Sequence, residues 1–244
     1  MADRIFKDIR YYESTWENVA GNSLPGDFGD ISLKTEDSPY IGQRIARKLN
    51  ELKYSLGEPD HLYINFTTTL QADEWHLSTR NVEKWIQYIN YGIDPKRLHS
   101  LSEADKNNFI KKTTIKILKN ISTPQQLPSV ELVEQLIEEQ GTALKIAYKT
   151  KETNAYKIDI FYQINVENAG TRAVVEYTDK KENTRLGKTF PLNLFGDIYS
   201  LVDSISFVKG KIILKPKKSL TASYICNDYK TPIELDLATF EKID

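Results

Sequence analysis

The stretch Ser122-Thr123-Pro124-Gln125-Gln126-Leu127-Pro128 divides the 244-residue chain into two parts with different sequence patterns. Before it, helix-like and strand-like segments alternate with irregular loops. After it, one helix is followed by strands with a hydrophobic period of two, and short turns separate these strands. Neighbouring strands joined by short turns are typical of an antiparallel meander. The sequence therefore predicts an α+β fold, with a mixed helix and strand part over 1–126 and a helix plus an antiparallel sheet over 128–244.

The stretch at 122–128 does not decide whether these parts are separate domains. A connection of seven residues allows two domains or one continuous body, and both alternatives stay open.

Hydrophobic spacing predicts four elements in the first part. A helix is expected over 39–54, because its apolar residues recur at intervals of three and four. Alternation predicts a strand over 62–66. The segment 83–91 fits a helix or a strand, and its β-branched and aromatic residues favour a strand. Ser102 has the position of an N-cap for a second helix, which Pro124 ends.

The second part begins with a helix that starts at Ser129 and stops at Gly141, a position that favours glycine. Strands then follow, with apolar residues at every second position. They are predicted at about 144–148, 156–164, 171–178, 184–190, 198–208, 211–215, 220–226 and 232–237.

Cysteine content and the N-terminus indicate a compartment. The single cysteine, Cys226, allows no internal disulfide, whereas secreted chains of this size more often carry paired cysteines. The first ten residues lack the apolar segment of a signal peptide, and no stretch reaches the length of a membrane span. The sequence predicts a cytoplasmic protein without a membrane partner.

The distribution of charge narrows the class of partner. The formal net charge of −1 argues against a dedicated nucleic-acid binder. Residues 1–80 carry 9 Lys and Arg against 13 Asp and Glu, and residues 143–244 carry 16 against 13. The acidic first third is the surface that would attract a basic partner.

Catalytic signatures are scarce. Cys226 has no basic neighbour to activate it, there is no Gly-x-Ser-x-Gly motif, and no cofactor is predicted. Carboxylates and imidazoles that flank the 62–66 strand are suitable ligands for a divalent ion. They either converge or lie at opposite ends of the strand, where ordinary loop polarity explains them. A metal-dependent hydrolase built on these residues is the alternative function: Asp60, His61, Asp73, Glu74 and His76.

Aromatic and acidic residues occur together in the first third without accompanying catalytic groups. Large aromatic anchors surrounded by charge are typical of protein–protein interfaces, although each aromatic also fits the core. The sequence therefore favours a non-catalytic protein, and the residues predicted to contact its partner are Tyr12, Asp27, Asp30, Asp73, Glu74 and Trp75.

Five short runs in the first half of the chain resemble immunity proteins of bacterial contact-dependent growth inhibition and polymorphic toxin systems. They contain turn and packing residues, such as Tyr-Tyr-Glu-Ser at 11–14 and Asn-Tyr-Gly-Ile-Asp-Pro at 90–95. The others are at 21–29, 62–68 and 109–110. The resemblance implies cytosolic neutralisation of a cognate toxin domain, commonly a nuclease, by tight binding. It transfers no contact residues.

Overall fold

The chain divides into two compact units after Gly141, beyond the stretch at 122–128. The computed structural model describes residues 3–21, 28–29, 31–80, 82–166 and 170–243. Unit 1 is Met1–Gly141 and unit 2 is Thr142–Asp244. This division differs from the predicted boundary between 126 and 128, because the helix that follows that stretch packs against two helices of unit 1.

Unit 1 contains a mixed sheet with helices. Its described elements are β1 (Asp8–Ser14), α1 (Ser38–Glu51), β2 (His61–Thr67), β3 (Trp75–Leu77), β4 (Ile86–Gly92), α2 (Pro95–His99), α3 (Glu103–Ile121) and α4 (Leu127–Gln140). The helix predicted over 39–54 and the strands predicted over 62–66 and 83–91 are confirmed. The sequence reasoning missed β1 and β3.

The sheet of unit 1 has the strand order β1-β2-β4-β3. β1, β2 and β4 are parallel, and β3 runs antiparallel to β4. Parallel neighbours require a crossover connection, which α1 supplies between β1 and β2. β3 lies at the edge of the sheet and has three residues.

The two faces of this sheet differ in chemistry. The helices cover one face: Gly42 of α1 packs against Ile9, and the Tyr11 hydroxyl is 2.9 Å from the Thr114 hydroxyl of α3. Successive side chains along each strand point to opposite faces of the sheet. The residues on the face away from the helices are aromatic and polar. Register places Tyr63 beside Tyr88 and Asn65 beside Asn90 on that face.

Helix ends in unit 1 follow local capping chemistry. The Ser102 hydroxyl accepts a hydrogen bond from the Asp105 amide at 3.2 Å, which confirms the predicted N-cap of α3. α4 starts at Leu127 rather than at Ser129, because Pro128 fits the first turn of a helix. It ends before Gly141, whose φ of 54° favours glycine.

Unit 2 is built on two antiparallel sheets. Its described elements are β5 (Ile146–Glu152), β6 (Tyr156–Gln163), β7 (Arg172–Asp179), β8 (Thr184–Pro191), α5 (Ile198–Leu201), β9 (Ser204–Val208), β10 (Lys211–Lys215), α6 (Leu220–Cys226), β11 (Ile233–Asp236) and β12 (Glu241–Lys242). The sheet orders are β12-β8-β7-β6-β5 and β11-β10-β9. Together with the mixed sheet of unit 1, they confirm the predicted α+β class.

Two strands predicted in unit 2 are wrong. The first half of 198–208 is the helix α5, whose Ile198 and Leu201 are fully buried at helical spacing. The segment 220–226 is the helix α6. Its alternating apolar residues imitate a strand, but the Ser219 hydroxyl caps it by accepting a hydrogen bond from the Ala222 amide.

Candidate functional site

The five candidate metal ligands do not converge. His61 pairs with Ile86 at the start of β4, and His76 pairs with Asn90 near its end. These two pairs are four positions apart along β4, which corresponds to about 13 Å at about 3.3 Å per residue. Within the described ranges, no group of three or more His, Cys, Asp or Glu residues has the arrangement of a metal site. The prediction that Asp60 and His61 share a site with Asp73, Glu74 and His76 is therefore wrong.

Asp60 is instead part of a local ion pair. Its carboxylate accepts hydrogen bonds from Lys7 Nζ at 2.7 Å and from His61 Nδ1 at 2.5 Å, and it is 2% exposed. Burial alone would raise the pKa of Asp60, but these two partners hold it below its usual value. The contacts join the N-terminal segment to the start of β2.

His76 lies at the end of a polar row that crosses three strands. Asn65 Nδ2 donates to Asn90 Oδ1 at 3.0 Å, and Asn90 Nδ2 lies 3.3 Å from His76 Nε2. Glu17 is 3.3 Å from the same His76 nitrogen. The Asn18 amide donates to Asn90 Oδ1 at 3.2 Å, so the row fixes the segment that follows β1. The row also includes the Ser14 hydroxyl, which donates to Asn65 Oδ1 at 2.9 Å.

Glu13 organises the loop beyond that segment. The side chain is fully buried, and its carboxylate accepts backbone hydrogen bonds of 2.5–3.3 Å from Gly29, Ile31, Ser32 and Leu33. A carboxylate bound by several amides is a strong anchor. Glu13 therefore has a structural role at the end of β1.

The predicted contact residues do not form one surface. Tyr12 is on β1, where it pairs with Asn65 on the polar face of the sheet. Trp75 is on β3 at the opposite edge, and it pairs with Tyr91 on the helix-covered face. Asp27 and Asp30 lie outside the described residues. Among the predicted contact residues that the structure describes, Asp73, Glu74 and Trp75 are adjacent.

These three residues begin a hairpin that is held firmly at its base. The Asp73 amide donates to the Gly92 carbonyl at 3.0 Å, and the Gly92 amide donates to the Glu74 carbonyl at 2.8 Å. A Cβ at Gly92 would come within 1.8 Å of the Gln71 carbonyl oxygen. Only glycine permits this close approach of two backbone segments.

The carboxylate of Asp73 is partly engaged. Tyr91 donates its hydroxyl hydrogen to Asp73 at 2.9 Å, and burial together with this bond raises the pKa of Tyr91 to about 12. Arg97 lies 3.7 Å from the other carboxylate oxygen. Glu74 is exposed and forms no ion pair with another described residue. Glu74 is thus the more available of the two charges.

Large apolar side chains are exposed along the same hairpin. Leu77 is 53% exposed, Val82 58% and Trp85 46%. These three residues lie within nine positions of the sequence, and Leu77 is on β3 at the edge of the sheet. We call Asp73, Glu74, Trp75, Leu77, Val82 and Trp85 the hairpin surface. Sequence reasoning missed Leu77, Val82 and Trp85, because sequence pattern does not reveal which apolar residues a short edge hairpin leaves uncovered.

The lone cysteine does not offer a second site. Cys226 lies in α6 rather than in the strand predicted over 220–226, and it is 9% exposed. Burial and the nearby Asp197 raise the pKa of its thiol. A thiolate is the reactive form, so these surroundings suit a structural cysteine.

Comparison with models of known protein families, with curated proteins and with solved structures finds no match for this chain. Among the described helices, none combines the length and the apolar character needed to cross a membrane.

Proposed function

We propose that this protein is a non-catalytic inhibitor that binds a cognate toxin domain through the hairpin surface. The observation that carries the proposal is the exposure of Leu77, Val82 and Trp85 in the segment that follows Asp73 and Glu74, two of the predicted acidic contact residues. This geometry favours a binding protein, and the dispersed His and carboxylate residues described above give no support to the metal-dependent hydrolase.

The apolar residues supply the affinity in this proposal. Trp85 and Leu77 would enter pockets on the toxin domain, because buried aromatic and aliphatic anchors account for most of the binding energy at protein interfaces. The outer edge of β3 also presents backbone groups that a strand of the toxin domain would pair with.

The acidic residues supply steering. Glu74 and Asp73 would face a cationic nuclease domain and occupy positions that substrate phosphates normally take. Such charges speed encounter, while the desolvated anchors slow dissociation. Because Asp73 already interacts with Tyr91 and Arg97, we expect Glu74 to contribute more to the rate of association.

The test is co-expression with the toxin domain encoded by the neighbouring gene, followed by a growth assay and by affinity measurement on the purified complex. Leu77→Asp and Trp85→Ala should each weaken binding at least about 30-fold, which corresponds to a hot spot of about 2 kcal/mol. Growth rescue should fall in parallel. Glu74→Gln should mainly slow association at low salt.

Leu132→Asp is the matched control. Leu132 is 42% exposed on α4 of the same unit, but it is not part of the hairpin surface. Binding unchanged in the control and lost in the hairpin variants supports the proposal. No complex with the unaltered protein would refute the inhibitor function. Loss of binding in Tyr12→Ala, with the hairpin variants unaffected, would move the interface to the other sheet edge.

A further inference from the structure

The outer face of the five-stranded sheet in unit 2 contains a cavity of about 460 Å³. This volume is within the range of small-molecule sites. Val174 and Gly187 form its floor on β7 and β8, and Ile243 closes one side after β12. A Cβ at Gly187 would lie 3.0 Å from Ile243 Cγ2, so the glycine lets the end of the chain pack against the sheet.

One carboxylate of the cavity is already neutralised. Glu176 is 6% exposed, and its oxygens accept hydrogen bonds from Lys145 Nζ at 2.6 Å and from Arg185 at 3.1 Å. Two cations therefore surround one buried anion. Charge compensation of this kind removes Glu176 as an obstacle to the entry of a negative ligand.

The remaining cations of the cavity are held in place by neutral groups. Arg172 Nε donates to Gln163 Oε1 at 2.7 Å, and Gln163 in turn donates to the Ala143 carbonyl at 2.6 Å. Lys188 Nζ donates to the Thr239 hydroxyl. Neither Arg172 nor Lys188 forms an ion pair with a carboxylate in the described part of unit 2.

We propose that this cavity binds a small molecule with an oxyanion group, a phosphate or a carboxylate, attached to an apolar body. Arg172 holds the oxyanion, because a guanidinium fork is a usual protein partner of such groups. Lys188, whose ammonium is held at Thr239 in the cavity lining, adds a second positive charge. Val174 and Ile243 contact the apolar body. Glu241 lines the cavity as well, and its negative charge opposes the oxyanion.

The test uses phenyl phosphate, benzoate and benzyl alcohol as probes of the full chain in calorimetric titrations at low ionic strength. The two oxyanions should bind saturably with 1:1 stoichiometry. Benzyl alcohol, which lacks the negative charge, should bind at least about fivefold more weakly. The ratio of the phenyl phosphate affinity to the benzoate affinity identifies the preferred head group. Arg172→Gln should weaken oxyanion binding about tenfold, and Lys188→Gln should weaken it by a smaller factor. Both side chains are at the surface of the sheet, so folding should persist, as circular dichroism will verify.

Two further variants separate recognition from general charge. Glu241→Gln should strengthen binding about threefold, because it removes a repulsive charge. Thr189→Trp should abolish binding, because Thr189 is exposed on β8 and the larger side chain fills the cavity. Lys181→Gln is the control for an exposed cation outside the cavity and should leave the affinity unchanged.

The proposal fails if the oxyanion probes do not bind saturably. It fails equally if Lys181→Gln weakens binding as much as Arg172→Gln, or if benzyl alcohol binds as tightly as benzoate.

Discussion

Unit 1 pairs strands that are distant in the sequence, whereas the main sheet of unit 2 pairs strands that follow one another. Asp8 of β1 pairs with His61 of β2 across the whole of α1, while β5 to β8 form one meander with short connections. Non-local pairing must be stabilised by buried contacts and specific polar anchors. Local pairing relies more on turns. The difference predicts that the same substitution at a strand glycine will have unequal effects in the two units.

The chain contains natural reporters for each unit. Its three tryptophans, Trp16, Trp75 and Trp85, are all in unit 1, and its only cysteine, Cys226, is in unit 2. Tryptophan fluorescence therefore follows the unfolding of unit 1. The rate at which a thiol reagent modifies Cys226 follows the opening of unit 2, because the thiol is buried.

The largest difference is expected from the same substitution at two strand glycines. Gly92→Ala should destabilise unit 1 by about 4 kcal/mol, because the new methyl group would collide with a backbone oxygen that cannot move alone. Gly187→Ala should cost about 1 kcal/mol or less in unit 2, because the end of the Ile243 side chain can rotate away. Urea titrations read by fluorescence and by thiol modification measure both values. Equal losses would contradict the close approach at Gly92.

A pair of core substitutions tests whether the units unfold separately. Ile64 of β2 is fully buried and Ile160 of β6 is 1% exposed. Ile64→Ala and Ile160→Ala should each cost about 3 kcal/mol, from lost burial and from the cavity that remains. If the units are independent, each variant shifts the urea midpoint of its own reporter only. A shift of both reporters by one variant would show a single cooperative body.

A further difference between the units is expected to depend on pH. Asp60→Asn should cost about 1.5 kcal/mol at pH 7, because a neutral amide bonds less strongly to Lys7 and His61. The pKa of Asp60 is lowered in the folded state, so its stabilising effect is present above the unfolded pKa of about 3.9 and is lost as the pH falls through the folded value. The difference in stability between the variant and the unaltered protein should therefore shrink as the pH falls through the folded pKa of Asp60.

Asp179 of unit 2 provides the comparison for that experiment. Its pKa is also lowered, by the backbone amides of Glu182 and Lys181, but it is the last residue of β7, directly before the exposed turn 180–183. An asparagine oxygen can accept the same amide hydrogen bonds, so Asp179→Asn should have a smaller effect than Asp60→Asn at pH 7. Urea midpoints at pH 7 and pH 2.5 measure both. A pH-independent loss in Asp60→Asn would contradict the ion-pair explanation.

Sequence patterns predicted the elements whose local signals agree with their structure. The capped helix α3 and the alternating strands β6 to β8 are examples. β1 was missed because its carboxylate Glu13 is buried, which breaks the expected alternation of apolar and polar residues. α6 was mistaken for a strand because Leu220 and Tyr224 are apolar yet exposed, so the residues that face the core do not follow the hydrophobic pattern.

The candidate site was less predictable than the fold. Sequence order placed Asp73, Glu74 and Trp75 together correctly, since they are consecutive. It could not show that Tyr12 lies on the other face of the sheet, because this depends on the pairing of β1 with β2. The same uncertainty left open whether His61 and His76 share a metal site; the structure places β4 between their strands.

The anchoring of the 29–33 loop by Glu13 has a consequence for how such chains can diverge. The carboxylate binds main-chain amides, which every residue except proline possesses, so most side chains of the loop can be exchanged while its path is kept. Leu33 and Gly29 are exceptions, because Leu33 is buried and the φ of 129° at Gly29 favours glycine. If Glu13 is kept, related chains could therefore differ in the exposed side chains of this loop while its backbone keeps the same path.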